Sequence, residues 1–192
     1  MKNIYLLSTG FAIFIFSQNL SAQIKKIDTT IKIASVGYRI SCNNKDPEKN
    51  QLDIKPIGFD HDAHESVLFI KGKIIRTEID DLNSDGYPDA VIYTMNGPRG
   101  EYGNAYAIVS LSNKSFTAVG LPDVLLDAKY KDGYRGHDEF SLLEGTLMRK
   151  FPVYKADDKD VATGGRRVIQ YVLNGTDDTG YKFKIQQSFE TK

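Results

Sequence analysis

Short runs in which every second residue is apolar constrain this chain most, because the side chains of a β-strand point alternately to its two faces. The clearest run covers residues 36–42 and predicts that Cys42 faces inward. The runs are rich in Tyr, Phe, Ile and Val, which strands favour. Similar alternating or fully apolar runs occupy residues 52–56, 67–70, 74–79, 90–93, 105–111, 140–143, 168–173 and 181–185.

Turn-forming residues separate these runs and set their connections. The pairs at 164–165 (Gly-Gly) and 174–175 (Asn-Gly) are typical of turns between neighbouring strands. Pro56 predicts either an edge strand or a strand end for its run, because proline has no N–H to donate. We expect an all-β fold, either an antiparallel β-sandwich or a partly open barrel, with one short helical turn within residues 122–130.

The first 23 residues have the organisation of a secretory signal peptide. Lys2 is followed by an almost wholly apolar stretch, residues 4–16, and then by small and polar residues. The apolar stretch is shorter than the roughly 20 residues that a membrane span needs. We therefore expect a cleaved signal peptide (1–23), a periplasmic or secreted location, and a single domain (24–192) without a membrane span.

Composition excludes several functional classes. The chain has 25 basic and 25 acidic residues, and this balance argues against nucleic acid or an anionic membrane as the main partner. Cys42 is the only cysteine, so no intramolecular disulfide can form. None of the common hydrolase signatures G-x-S-x-G and H-E-x-x-H is present, so we expect a protein that is not an enzyme. Its oligomeric state, including a homodimer, is left open.

One loop carries a pattern that suits a hard cation. Residues 81–89 read D-x-N-x-D-G-x-x-D, in which oxygen-bearing side chains alternate and Gly86 permits a sharp turn. Ile92 stands where an EF-hand has its glutamate, so the loop joins two strands instead of two helices. Two interpretations remain open: a structural calcium site, or a metal-free turn held by Asx hydrogen bonds. The calcium ligands would be Asp81, Asn83, Asp85, the carbonyl of Tyr87, and Asp89.

The residues that follow this loop add a second pattern. The segment 81–93 leads into Gly-Pro-Arg-Gly-Glu-Tyr-Gly-Asn-Ala-Tyr at 97–106. In this order and spacing the chain resembles the periplasmic inhibitors of invertebrate-type lysozyme, together with their longer envelope relatives. The resemblance covers residues 74–173, and its later parts are the segments 136–140, 149–155 and 164–167.

This resemblance implies a β-sandwich whose loop enters the cleft of a lysozyme and blocks its catalytic carboxylates. The loop starts at Gly97; Gly100 and Tyr102 match the family's glycine and tyrosine, whereas Arg99 stands in place of its serine. An arginine at this position suits an acidic cleft, because it can make a bidentate bond to a carboxylate. The alternative is a calcium-stabilised envelope module that binds glycan or protein and has no effect on lysozyme.

Three further groups of polar residues favour ordinary structural roles. His61 and His64 could bind zinc only with additional ligands, so a solvated loop is the better interpretation. The sequence His137-Asp138-Glu139 offers acid–base groups, but no nucleophile or pocket is evident, so Gly136-His137-Asp138 is interpreted as a turn before the strand at Phe140. Arg166 and Arg167 suit either a binding role or solvated charges on an edge strand.

Overall fold

The computed structural model describes residues 26–60 and 63–192. The expected signal peptide at 1–23 and the side chain of His61 lie outside these residues. Strands account for 58% of the described residues and helical turns for 2%, which confirms the all-β prediction. Of the two architectures expected, the sandwich is the one observed, since none of the sheets closes on itself within the described residues.

Twelve strands in the described ranges form three antiparallel sheets of four, and every sheet is a meander of consecutive strands. The first sheet comprises β1 (Ile27–Ile33), β2 (Val36–Cys42), β3 (Asn50–Ile57) and β4 (Ser66–Ile70). The second comprises β5 (Lys73–Asp80), β6 (Asp89–Asn96), β7 (Tyr102–Leu111) and β8 (Ser115–Gly120). The third comprises β9 (Glu139–Leu143), β10 (Thr146–Pro152), β11 (Arg166–Thr176) and β12 (Gly180–Thr191).

The second sheet lies between the other two and is buried on both faces. Ile92 packs into the core shared with the first sheet, around Ile40 and Ile54. Its neighbours Val91 and Tyr93 point the other way, into the core shared with the third sheet. This sandwiching explains why the run at 90–93 is continuously apolar instead of alternating, as is usual for a strand covered on both sides.

Several local predictions are confirmed. Cys42 is inward and only 2% exposed. Pro56 lies at the end of β3, beyond the residues that pair with β4, so the strand-end interpretation is the correct one. The expected helical turn is a single 3₁₀ turn, Val124–Leu126, which the carboxylate of Asp123 caps by accepting the N–H of Leu125. No helix in the described part of the chain is long and apolar enough to cross a membrane.

The two loops of interest lie at opposite ends of β6. The Asp-rich loop precedes Asp89 and the glycine-containing loop follows Asn96. Seven strand intervals separate these residues, which corresponds to roughly 23 Å. A cation in the first loop would therefore not contact the second.

Candidate functional site

The glycine-containing loop is the tight end of the β6–β7 hairpin. Asn96 pairs with Tyr102, so only residues 97–101 lie outside the ladder. The N–H of Gly100 donates to the carbonyl oxygen of Gly97 at 3.0 Å and closes the turn. Both glycines have positive φ, 90° and 69°, a conformation that residues with a Cβ rarely adopt. Gly100, which matches the family's glycine, and Gly97, where the loop starts, thus both suit the backbone conformation of the turn.

The tip of this loop consists of Pro98, Arg99 and Gly100, all of which are exposed. The backbone N–H of Arg99 donates to the Glu101 carboxylate at 2.8 Å, which orders the turn from within. Among residues 26–60 and 63–192, no carboxylate pairs with the Arg99 guanidinium. The tip therefore presents one solvated cation on a short and ordered turn.

Tyr102 lies at the base of the loop and not at its tip. It is the first residue of β7, it is half-buried, and its ring packs 6.0 Å from the ring of Tyr134. The structure thus separates the two side chains that the resemblance associates with binding. Arg99 projects into solvent, whereas the Tyr102 ring forms part of the wall beneath it.

A buried ion pair braces the base of the loop at Gly103. The N–H of Gly103 donates to Oδ2 of Asp138 at 2.7 Å, and its carbonyl accepts from Nη2 of Arg149 at 3.0 Å. Nε of Arg149 in turn lies 2.7 Å from Oδ1 of Asp138. Tyr134 donates to Asp138 and accepts from Arg149, each at 2.6 Å. The first residues of β7 are therefore held to the third sheet through both backbone polar groups of one residue.

The positive charge of Arg149 and the negative charge of Asp138 balance each other within this network. Burial alone would lower the pKa of Arg149, but the hydrogen bond and charge of Asp138 raise it above its ordinary value, so the guanidinium stays charged. Burial raises the pKa of Tyr134, which keeps its hydroxyl protonated and able to donate. Because Nε and Nη2 of Arg149 and both oxygens of Asp138 have partners, the network avoids the large penalty of an unpaired charge in the interior.

The segment before β9 fits closely against this base. The N–H of His137 donates to the carbonyl of Glu101, and a Cβ on Gly136 would lie only 2.4 Å from that same oxygen. Residues 136–138 form the irregular connection that leads into β9, as expected, but Asp138 within it is 4% exposed and carries the bracing interactions. Its neighbour Glu139 is exposed and pairs with Arg166.

A cavity of about 260 Å³ lies beside the loop. It opens where connections from all three sheets meet, between the β2–β3 connection, the β4–β5 turn, the β6–β7 hairpin and the 3₁₀ turn. Its lining residues are Glu48, Lys71, Asn96, Gly97, Tyr102, Gly103, Asn104, Asp123, Leu125, Tyr134 and Arg149.

The Asp-rich loop winds around its own carboxylates at the other end of β6. Asp81 accepts the N–H groups of Asp85 and Gly86 at 3.1 and 2.9 Å, and Asp85 accepts that of Tyr87 at 2.8 Å. Gly86 has φ of 85° and no atom within 4 Å of its would-be Cβ. The amide of Asn83 bonds to Asp85 and, at 3.1 Å, to the hydroxyl of Tyr181 on the third sheet.

Asp89 occupies a different environment from the other acidic residues of this loop. It is fully buried, and its two oxygens accept the N–H groups of Leu82 at 3.0 Å and Ser110 at 2.8 Å. Burial raises its pKa to about 7, against the lowering effect of these two hydrogen bonds. Nearby Asp85 and Asp81 raise it further by repulsion. Asp89 therefore ties the loop to β7 from the inside.

The donor chemistry of the loop suits a hard cation. Asp81, Asn83, Asp85 and the Tyr87 carbonyl all supply oxygen atoms, which calcium prefers. Only two of these four are carboxylates. Across the described ranges, no three His, Cys, Asp or Glu side chains are grouped so that they could hold a metal ion. Calcium at this loop, with Asp89 as a further ligand, stays a prediction.

No family model matches this chain, and no curated protein matches it. The resemblance to the lysozyme inhibitors therefore stays a prediction from the motifs at 81–106 and from the later segments. What the structure adds is the geometry of the loop that the resemblance singles out.

The remaining residues considered from sequence have local partners. Arg166 pairs with Glu139, and Arg167 pairs with Glu190 at 2.6 Å while donating to the carbonyl of Tyr130. Both lie on β11, between β10 and β12, so the edge-strand interpretation was wrong. His64 is exposed.

Arg149 was missed from the sequence altogether. An arginine between Leu147 and Phe151 in an alternating run was the only available signal, because that spacing places it on the inward face.

Proposed function

We propose that this protein is an exported, non-enzymatic inhibitor of a lysozyme, which it blocks by placing the loop at 97–101 in the enzyme's acidic cleft. The observation that supports the proposal best is the exposed Arg99 cation on a turn whose base is braced by the buried Asp138–Arg149 pair. The resemblance of the surrounding motifs to lysozyme inhibitors supplies the enzyme class.

The chemistry of such a complex follows from the two partners. A lysozyme cleft contains two carboxylates, and at least one is ionised when the enzyme works. A guanidinium can bond such a carboxylate through two parallel N–H groups. Insertion would also exclude water and sugar from the cleft. Arg99 would therefore supply orientation and charge, while Pro98 and Gly100 keep the tip narrow.

Rigidity of the loop contributes to affinity. Ordering a flexible loop on binding costs free energy for each side chain that is immobilised. Here the internal bonds of the turn and the clamp at Gly103 hold the backbone before any partner arrives. Tyr102, half-exposed at the base, would contact the rim of the cleft.

Calcium has a structural role in this proposal. The ligands would be Asp81, Asn83, Asp85 and the Tyr87 carbonyl, with Asp89 completing the shell directly or through water. Since this loop lies at the far end of β6, the cation would stabilise the hairpin and its contact with Tyr181 on the third sheet. It would take no part in recognition.

The test is inhibition of purified lysozymes of the invertebrate, chicken and goose types by the mature protein. We expect inhibition of at least one type, loss of that inhibition with Arg99→Ala, and no loss with Lys114→Ala. Lys114 is a suitable control because it is exposed on the β7–β8 turn, away from the loop. Absence of inhibition of all three types at micromolar protein would overturn the proposal.

A second candidate is an envelope module that binds glycan without affecting lysozyme. The cavity of about 260 Å³ beside the loop favours it, because polar side chains of Asn96, Asn104 and Glu48 line the space. Sedimentation of the protein with purified peptidoglycan, in the absence of any lysozyme, distinguishes this function from inhibition.

A further inference from the structure

We propose that the cavity beside the loop at 97–101 is a binding subsite for a single uncharged sugar ring. The proposal rests on the glycan-binding candidate and names its site and ligand class; it does not depend on inhibition of lysozyme.

The size of the cavity fits one ring. Its volume of about 260 Å³ lies just below the range of about 300–1,000 Å³ that is usual for small-molecule sites. It is too small for an extended oligosaccharide. Leu125, which lines the cavity, is 50% exposed, and Leu126 next to it is 86% exposed, so an apolar surface borders the cavity. A longer glycan would therefore enter with one ring and continue over this apolar turn.

Two amides lie side by side at the cavity. Asn96 is 5% exposed and Asn104 is half-buried, and their side-chain amides are 2.9 Å apart. With the Asn96 amide turned, its nitrogen donates to the Tyr102 carbonyl and its oxygen accepts the N–H of Gly97. The second Asn96 N–H then points at Asn104, whose amide must turn as well so that its oxygen accepts. One Asn96–Asn104 bond leaves part of the hydrogen-bonding capacity of Asn104 for a ligand, since an amide offers two donor hydrogens and an acceptor oxygen. Hydroxyl and acetamido groups of a sugar match such paired donors and acceptors.

Tyr102 supplies an aromatic wall. Its ring is half-buried and packs on Tyr134 from one side, so it is fixed in position. An amphipathic ring with a polar hydroxyl suits the partly apolar face of a pyranose. Tyr102 and Asn104 are two residues apart on β7, and Asn96 on β6 pairs with Tyr102, which places a flat surface and polar groups around the same space.

Charge excludes other ligand classes. Among the lining residues, Lys71 is balanced by Glu48 and Asp123, and Arg149 is already neutralised by Asp138. The remaining charge is slightly negative, which disfavours phosphate and dicarboxylates. A wholly apolar ligand would leave the polar lining unpaired, which is costly in a confined space. A neutral polyhydroxylated ring meets both constraints.

The experiment is a titration of the mature protein followed by NMR chemical shifts, with N-acetylglucosamine, its linear trimer, glucose and inorganic phosphate as separate probes. We expect the trimer to bind, with shifts concentrated at Asn104, Tyr102 and Leu125. Asn104→Ala and Glu48→Ala should each weaken binding about tenfold, as for the loss of one hydrogen bond to the ligand. Glu144→Ala, a matched exposed carboxylate on the β9–β10 turn, should leave binding unchanged.

Three results would overturn the proposal: no shift with any saccharide at millimolar concentration, a preference for phosphate, or saccharide binding that neither cavity variant weakens. Glu48 is exposed, so its variant keeps the fold even if Asn104→Ala does not. The titration contains no lysozyme. Its failure therefore leaves the inhibition proposal intact, and failure of inhibition leaves the saccharide result intact.

Discussion

Asp138 and Arg149 form an ion pair of 2.7 Å in which neither side chain is more than 2% exposed. They come from the segment before β9 and from β10, and both reach across to the backbone of Gly103 on β7. The pair thus joins the third sheet to the second, at the end of the molecule that carries the exposed loop. The two side chains satisfy each other's hydrogen bonds. Removing either one should therefore weaken the attachment of the loop.

Replacing Arg149 with methionine should destabilise the protein by roughly 3–5 kcal/mol, because Asp138 would remain as a buried charge without its partner. The measurement is the free energy of unfolding from urea titration. Arg39→Met is the matched control, since it breaks an ion pair with Asp28 that has similar geometry but is exposed, and it should hardly move the midpoint. Equal effects of the two variants would contradict the described role of Arg149.

Gly103→Ala should destabilise the protein by about 1–3 kcal/mol, the usual range for overpacking. A Cβ at this position would lie 2.6 Å from the Cβ of Asp138 and from the Phe140 ring, so the clamp would have to open. Gly120→Ala is the control, because its Cβ would meet only the Tyr106 ring at 3.8 Å. Urea midpoints that fall together for both glycines would show that close packing at Gly103 is not the cause.

Calcium should raise the melting temperature of the metal-free protein, and magnesium should raise it much less, because the loop is rich in oxygen donors and calcium tolerates irregular coordination that magnesium does not. Asp85→Asn should abolish the response to calcium. Asp157→Asn, an exposed carboxylate on a distant loop, should retain it. Differential scanning calorimetry after chelation and calcium addition is the measurement. If calcium leaves the melting temperature unchanged, the loop is a metal-free Asx turn.

Asp89→Asn separates the structural role of that residue from cation binding. The asparagine has one acceptor oxygen for the two N–H groups of Leu82 and Ser110, so we expect a loss of about 1–3 kcal/mol even in the presence of a chelator. Asp85→Asn should have little effect under those conditions, since Asp85 is exposed. The measurement is the free energy of unfolding of both variants from urea titration with a chelator present. An Asp89→Asn variant as stable as wild type would contradict the anchoring role.

Strand positions were predictable wherever the inward face is apolar. The alternation that ends at Cys42 and the continuous run around Ile92 both follow from the number of sheets that cover each strand. The existence of three layers was not predictable, because no local pattern tells a strand which sheet will cover its second face. β10 escaped notice for a simpler reason: its central inward residue is the charged Arg149.

The position of the loop at 97–101 was predictable, but the contacts that hold its base were not. Gly97 and Gly100 are placed in a turn by their sequence neighbours, and the structure finds them there with positive φ. The clamp depends on Asp138, which is 35 residues from Gly103 in the chain. Such a contact depends on how the second and third sheets pack, and neither residue lies in a sequence pattern that predicts it. For the same reason the cavity between the three sheets could not be foreseen.

Inhibition through Arg99 is tested most directly by the dissociation constant of residues 24–192 for whichever lysozyme they inhibit, measured with wild type, Arg99→Ala and Lys114→Ala. We expect Arg99→Ala to weaken binding about 30-fold or more, the effect of losing a binding anchor worth about 2 kcal/mol. Lys114→Ala should bind as wild type does. Undiminished binding by Arg99→Ala, or no binding of any lysozyme by the wild-type protein, would contradict inhibition through Arg99.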